Sequence, residues 1–352
     1  MSTVSAERPG VFSRYTVIGS LGGGAAARAV GVIAASPTGE KLNLKHFTKL
    51  NDAFVEYGDT KSSMLAALIK ILMINGIGDI YAVSVGEEPA QEDYLAAFAL
   101  LDGVQGIAGI VCDAQTLAIQ QALAGQLRVT SESGRERVGF FGIPTDTPPE
   151  QAAKVINCER VCLASPVVSF EGGGVQSGAY LAAAYCAAAL REEDPAANLN
   201  LAEVTGAFTF PAPYEEERLT ELLQAGVSVF EASGDKAELI RALTTKTGEN
   251  GVQDHSLREL STVRIIDDVI PGIRALLKAQ LRGTKNTASA RDAIRTQVAC
   301  ELSRKCSLGI IDSFEAPVVS VKENEPTVCV VELAFAVVYG LHRIDIVAHV
   351  SV

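Results

Sequence analysis

The residue types able to carry chemistry in this 352-residue chain are scattered rather than clustered. Gly22, Gly23 and Gly24, followed by Ala25, fit the loose form of a dinucleotide fingerprint, whose glycines let backbone amides approach a pyrophosphate at a helix start. That fingerprint needs a crossover helix beginning in the glycines. Here residues 29–35 form an apolar strand pattern ending in Ser36 and Pro37, so a flexible hinge is the better reading. Gly172, Gly173 and Gly174 follow Glu171 and precede a helical pattern at Gly178, where unpaired amides could meet an anion; a loop that allows close packing is the plainer account. The phosphate-loop pattern G-x-x-x-x-G-K-[ST] and the Gly-x-Ser-x-Gly elbow are both absent from the sequence.

His46, His255, His342 and His349 lie far apart, and none belongs to a helical pair with ligand spacing. Cys158 and Cys162 lack the second pair a zinc site needs. The seven cysteines (Cys112, Cys158, Cys162, Cys186, Cys300, Cys306, Cys329) are odd in number and dispersed, which fits buried small hydrophobes better than a disulfide framework. Asp267 and Asp268 read as carboxylates at a helix start, and Glu215, Glu216 and Glu217 before Arg218 as another solvated start. No local pattern nominates a nucleophile, and neither a metal nor a cofactor is expected. A triad assembled in space is the one catalytic arrangement that spacing leaves open.

Apolar residues make up 48% and charged residues 20%, with Trp absent and aromatics at 6%, so the core must be mostly aliphatic. Thirty Lys and Arg against 42 Asp and Glu leave a net charge of −12, a field that repels polyanions, and nucleic acid is not an expected partner. The apolar stretch at 180–190 is shorter than the roughly 18 to 20 residues of a membrane span, and 328–341 is interrupted by Glu332, so no membrane is expected either. Residues 1–10 carry Glu7 and Arg8 with no apolar signal core after them, and synthesis in a reducing cytosol is the expectation.

Apolar runs of strand length at 30–34, 80–85, 107–112, 137–142, 160–164 and 227–231 alternate with helical patterns at 62–74, 92–101, 114–127, 149–156, 178–191 and 215–224. This predicts an α/β fold: an open, mostly parallel sheet with helices on both faces. A polar, turn-rich segment at 243–251 separates it from an α+β C-terminal domain, with helices at 265–281 and 289–305 and antiparallel strands at 317–322, 327–338 and 341–352. Pro271 implies a kink or a start in the first of these helices. The expected division is 1–24 as an N-terminal arm with a glycine hinge, 25–243 as the α/β domain and 244–352 as the C-terminal domain.

Both ends look like extended arms. Ile344, Ile346, Ala348 and Val350 alternate along a strand pattern that reaches the last residue, where termini fray unless something pairs with them. Val11, Phe12, Tyr15 and Val17 form a strand-like segment set off by Gly19, Gly22, Gly23 and Gly24. Pairing of each arm with a sheet of its own chain remains the alternative.

Taken in order, these features resemble the contractile bacteriophage tail sheath family. The resemblance rests on Pro9-Gly10-Val11-Phe12, the block at 47–58 with its helix to Gly76, and the segment from Asn157 to Pro166. It continues through the glycine loop with the Ala-rich helix at 180–190, Leu243-Thr244-Thr245-Lys246-Thr247, Ile266-Asp267-Asp268 and Gly309-Ile310-Ile311. Between Val17 and Tyr94 there is no spare length for the β-sandwich insertion many members carry, which implies a compact member without surface decoration. The resemblance implies a non-enzymatic homo-oligomer of six-fold rings stacked around a tail tube protein, meeting baseplate and tail terminator proteins. Arms would exchange strands between neighbours, and the assembly would be a virion tail sheath built in the host cytoplasm. The competing expectation is a soluble α/β nucleotide-binding enzyme that uses one glycine-rich loop.

Overall fold

The computed structural model describes residues 29–249, 252–253, 256–279, 281 and 283–342. Strand β1 (Ala29–Ala34) is followed by β2 (Leu44–Phe47), α1 (Leu50–Tyr57), α2 (Met64–Ile74) and β3 (Ile80–Ser84). Helix and strand then alternate through α3 (Gln91–Asp102), β4 (Ile107–Cys112), α4 (Leu117–Glu132), β5 (Val138–Gly142), α5 (Pro149–Ile156) and β6 (Val161–Ser165). Next come β7 (Val168–Phe170), β8 (Gln176–Ser177), α6 (Ala179–Arg191), β9 (Ala202–Thr205), β10 (Phe208–Thr209), α7 (Glu216–Gln224), β11 (Val227–Ser233) and β12 (Lys236–Leu239). A short pair, β13 (Gly248–Glu249) and β14 (Val252–Gln253), precedes α8 (Leu260–Lys278) and α9 (Ala288–Ser307). Strands β15 (Ile311–Phe314), β16 (Val318–Lys322), β17 (Glu325–Glu332) and β18 (Phe335–Val337) follow.

Nine strands form one sheet in the order β2-β3-β1-β4-β5-β6-β11-β12-β9. The six from β3 to β11 in that order pair in parallel, while β2, β12 and β9 add antiparallel edges. Those six are the six apolar runs of the sequence. They read as continuous because both faces are covered: every residue of β1, β5 and β6 is buried. One face packs α1, α2, α6 and part of α8; the other packs α3, α4, α5 and α7. The Ala-rich α6 lies so close to the sheet that a side chain on Gly142 would sit 2.4 Å from the Gly178 carbonyl carbon, so only glycine fits where β5 ends against the α6 start.

Helix α8 joins two cores. Leu260, Val263, Ile266 and Ile270 complete the main core, while Ile265, Val269, Ile273 and Leu277 pack with Val298 and Leu302 of α9 and with Ile311, Phe335 and Val337. The C-terminal strands are antiparallel, as expected, in two separate ribbons, β15 with β18 and β16 with β17.

Several local expectations are corrected. Helix α8 runs through Pro271 from Leu260, so Asp267 and Asp268 are in its middle rather than at its start. The strand expected at 327–338 breaks at Leu333 and Ala334 because β17 and β18 pair with different partners. Cys112, Cys158, Cys162 and Cys186 are buried as small hydrophobes, but Cys300 is exposed and Cys306 and Cys329 are half-buried. The polar segment near Thr244 is packed inward: Thr244 and Thr245 are fully buried, and the Thr245 hydroxyl donates to the Cys158 carbonyl (3.0 Å).

Candidate functional site

The arm residues Val11, Phe12, Tyr15, Val17, Ile344, Ile346, Ala348 and Val350, and the hinge residues Gly19, Gly22, Gly23 and Gly24, lie outside the described residues, as do His255 and His349. The second glycine loop is described. It closes a hairpin in which β7 and β8 pair antiparallel, and Gly173 N–H donates to the Phe170 carbonyl (2.9 Å). Glu171 occupies its mouth, accepting from Lys70 Nζ (2.5 Å) and the Thr60 hydroxyl (2.6 Å). Lys70 and Thr60 hold its carboxyl below the usual range despite burial. A carboxylate already sits where an anion would have to bind, and the Ala179 amide at the α6 start donates to the Ser177 hydroxyl (3.1 Å).

In an open parallel sheet, ligands bind beyond the strand carboxyl ends where the winding direction reverses. Here that point falls between β1 and β4, since the chain leaves β1 for β3 on one side and returns to β4 on the other. Asp113, just past β4, fills it. Its Oδ2 accepts the Ala35 N–H beyond β1 (2.8 Å) and its Oδ1 accepts the Tyr94 O–H (2.8 Å). Burial pushes the Asp113 carboxyl up to about 6 and raises the Cys112 thiol and the Tyr94 hydroxyl as well. Beside it the buried Ser63 and Ser36 hydroxyls bond at 3.0 Å, and Ser63 Oγ caps α2 by accepting from Ala66 N–H (3.2 Å). The crevice is a satisfied polar plug. Its members hold one another. Among the described residues no group of His, Cys, Asp and Glu could hold a metal, and no helix is long and apolar enough to cross a membrane.

A cleft of about 200 Å³ opens at the opposite, amino end of the parallel strands, between the β4 and β5 starts and α8. Its charged groups are structural ties. Arg137 donates to the Leu101 (3.1 Å) and Val104 (2.6 Å) carbonyls. Arg264 donates to the Glu192 (2.8 Å) and Asp194 (3.0 Å) carbonyls. Arg160, with a side chain 1% exposed, reaches both oxygens of Asp267 at 2.6 and 2.5 Å. Arg274 pairs with Glu136 (2.5 Å), and Lys305 of α9 pairs with Asp268 (2.8 Å). Burial outweighs Arg160 in setting the Asp267 carboxyl and outweighs Lys305 in setting Asp268, so both stand above the usual carboxylate range. Helix α8 is thus tied by Arg264, Asp267 and Arg274 to the segments around the sheet and by Asp268 to α9, a role that the sequence reading of Asp267 and Asp268 as a solvated helix start missed.

The C-terminal strands form a pair of ribbons that present exposed apolar side chains. Each is two-stranded among the described residues, so β15, β16, β17 and β18 each have one described neighbour. On β16, Val318 is 55% and Val321 40% exposed; beyond β18, Tyr339 and Leu341 are 75% and 69% exposed, and the Leu341 carbonyl accepts from Asn198 Nδ2 (2.5 Å).

The chain belongs to the phage tail sheath protein family. The family model of the phage tail sheath protein central domain matches residues 87–245, and that of the phage tail sheath C-terminal domain matches residues 252–351. Solved structures repeat the fold almost end to end at low identity. The helical sheath of the anti-feeding prophage in its contracted state superposes with a TM-score of 0.71 at 15% identity, covering 97% of this chain and 98% of that one. The contracted sheath complex of the extracellular contractile injection system PVC gives 0.71 at 14% identity and 99% coverage of both chains. The sheath tail protein of Desulfitobacterium hafniense gives 0.68 at 12%, covering 94% and 100%. Among curated protein sequences none matches.

Proposed function

We propose that this chain is the structural, non-enzymatic subunit of a contractile tail sheath. Copies form six-fold rings stacked helically around an inner tube, and their contraction drives the tube through a target envelope. The observation that carries this reading, in a member of the sheath family, is the pair of ribbons that are two-stranded among the described residues and carry exposed valines. Isolated two-stranded ribbons are marginal in water, and an added strand satisfies their edge groups. The donors are the two arms: Val11, Phe12, Tyr15 and Val17 at one end, Ile344, Ile346, Ala348 and Val350 at the other. Gly19 and Gly22 to Gly24 form the joint that lets subunits pivot without unpairing.

In this division, 1–24 is arm and hinge, 25–243 the α/β body and 244–352 the acceptor domain with its own terminal arm. A backbone hydrogen bond nets about 0.5 to 1.5 kcal/mol, so one arm of roughly six residues contributes several kcal/mol before the cost of ordering it. Two arms per subunit make release slow, because each broken link leaves others closed. The tube protein, the baseplate and a tail terminator are the further partners. Assembly takes place in the host cytoplasm and action in the virion or particle tail.

Negative-stain microscopy of the purified chain tests the proposal. The intact protein forms tubes or rings on concentration, and chains lacking residues 1–18 or 342–352 do not. Tubes formed equally well without both arms would refute strand exchange, and a thermal shift with nucleotides would favour an enzyme.

A further inference from the structure

The nine-stranded sheet has two edges, and in an assembly held by strand addition each is a place where an arm could dock wrongly. At one edge, β2 is only four residues long and carries Lys45 and His46, whose side chains are engaged by Glu56 and Asp79. Short charged strands resist pairing. The other edge is β9, equally short, which among the described residues pairs with β12 alone and whose Glu203 is engaged by Lys236 of β12.

Its outer backbone groups are bonded instead by side chains from two helix ends. Asn75, the C-cap of α2 and 4% exposed, accepts the Thr205 N–H at Oδ1 (2.8 Å) and donates from Nδ2 to the Thr205 carbonyl (2.8 Å). This is the pair of bonds a neighbouring strand would make. Two residues along, on the same side of an antiparallel strand, the Glu203 carbonyl accepts from Arg191 Nη2 at the end of α6 (2.6 Å). Asn75 also donates to Ile71 O (2.9 Å), which fixes its amide for this task. By contrast, β16 offers an edge with Val318 and Val321 exposed.

We infer that Asn75 and Arg191 are specificity determinants of assembly: they close the β9 edge to incoming strands, so that arms pair only on the C-terminal ribbons. The inference rests on the strand-exchange reading for its biological use, but the seal itself is testable apart from it. The probe is a synthetic peptide of residues 11–18 with a photoreactive benzophenone at its amino terminus, added in excess to the full chain, with adducts mapped by mass spectrometry. In the wild-type protein, adducts fall within 316–332 and not at 202–205. In the Asn75→Ser, Arg191→Ala double variant, adducts at 202–205 rise roughly tenfold or more, the factor that one or two freed backbone hydrogen bonds supply.

Circular dichroism confirms that the variants are folded. Should Asn75→Ser fail to fold, Arg191→Ala alone decides, through a smaller rise at the same strand. Folded variants whose β9 takes no more peptide than the wild type overturn the seal. Adducts absent from 316–332 in every chain remove the strand-exchange reading, while the wild-type to variant contrast at 202–205 still decides the seal.

Discussion

The tie between Arg160 and Asp267 gives a prediction with a computable size. Arg160 precedes β6 with its guanidinium 1% exposed, and Asp267 stands in the middle of α8, 107 residues away in sequence. Removing the carboxylate alone, as in Asp267→Ala, leaves a buried cation without that partner, and such breaks cost about 3 to 5 kcal/mol. Replacing both, as in Arg160→Met with Asp267→Leu, removes the charge and its desolvation together. Burial already outweighs Arg160 in raising the Asp267 carboxyl, so desolvation consumes most of what the attraction supplies. The double variant is therefore expected within about 1 kcal/mol of the wild type, or above it. Guanidinium unfolding of the wild type, Arg160→Met, Asp267→Leu and the double forms a complete cycle, with a coupling of about 3 kcal/mol or more expected. Single variants costing less than about 1 kcal/mol, or a double that costs the sum of the singles, would refute the claim that this pair fixes geometry rather than net stability.

Asp113 predicts a pH dependence. Its folded-state carboxyl lies at about 6 against an ordinary 3.8, so its contribution is greatest below about 4 and is lost as pH rises through 6, a cost of about 3 kcal/mol at neutral pH. Asp113→Asn keeps an acceptor for the Ala35 amide and flattens stability between pH 4 and 7 by about that amount, read from denaturation midpoints. Gly142→Ala forces a methyl to within 2.4 Å of the Gly178 backbone and parts α6 from β5; a loss of about 3 kcal/mol or insoluble protein is expected, and a thermal midpoint close to the wild type would contradict the close approach. Val321→Asp on β16 leaves the fold stable, since the residue is 40% exposed, but abolishes tubes under the microscope if that ribbon receives an arm. Wild-type tubes from this variant would exclude β16 as an acceptor.

The parallel strands were legible because burial on both faces writes an uninterrupted apolar run, as in Val30, Val32, Ile33 and Ala34. The edge strands were not. Residues of β9 and β12 mix exposed and buried positions over four residues each, too short for a period of two to stand out. The start of α8 was missed because Pro271 reads as a helix boundary, yet packing on both sides holds the helix through it. The glycine loop at 172–174 was read as a loop that allows close packing, yet a side chain on Gly172 or Gly174 would meet nothing within 4 Å, and its hairpin form depends on β7 and β8, whose two- and three-residue strands leave no pattern. Asn75 carries no signal at all: it is an ordinary helix-ending residue in sequence, and its work on Thr205 lies 130 residues away.

The same contrast bears on how a sheath of such subunits would move. The body is cross-tied at both ends of its sheet, by the Asp113 plug at the carboxyl end and by the charged contacts of α8 at the amino end, which favours its moving as a unit. In the proposed reading contraction would belong to the interfaces, with an extended lattice trapped at assembly passing to a shorter one of lower free energy. On that reading, joints at Gly19 and Gly22 to Gly24 would tolerate large rotations of one body against another while the arm hydrogen bonds stay closed. Electron microscopy of extended and contracted assemblies should therefore show superposable bodies, unchanged arm pairings and altered contacts between body surfaces. An arm that changes partners between the two states would place the stored energy in the strand exchange and refute this account.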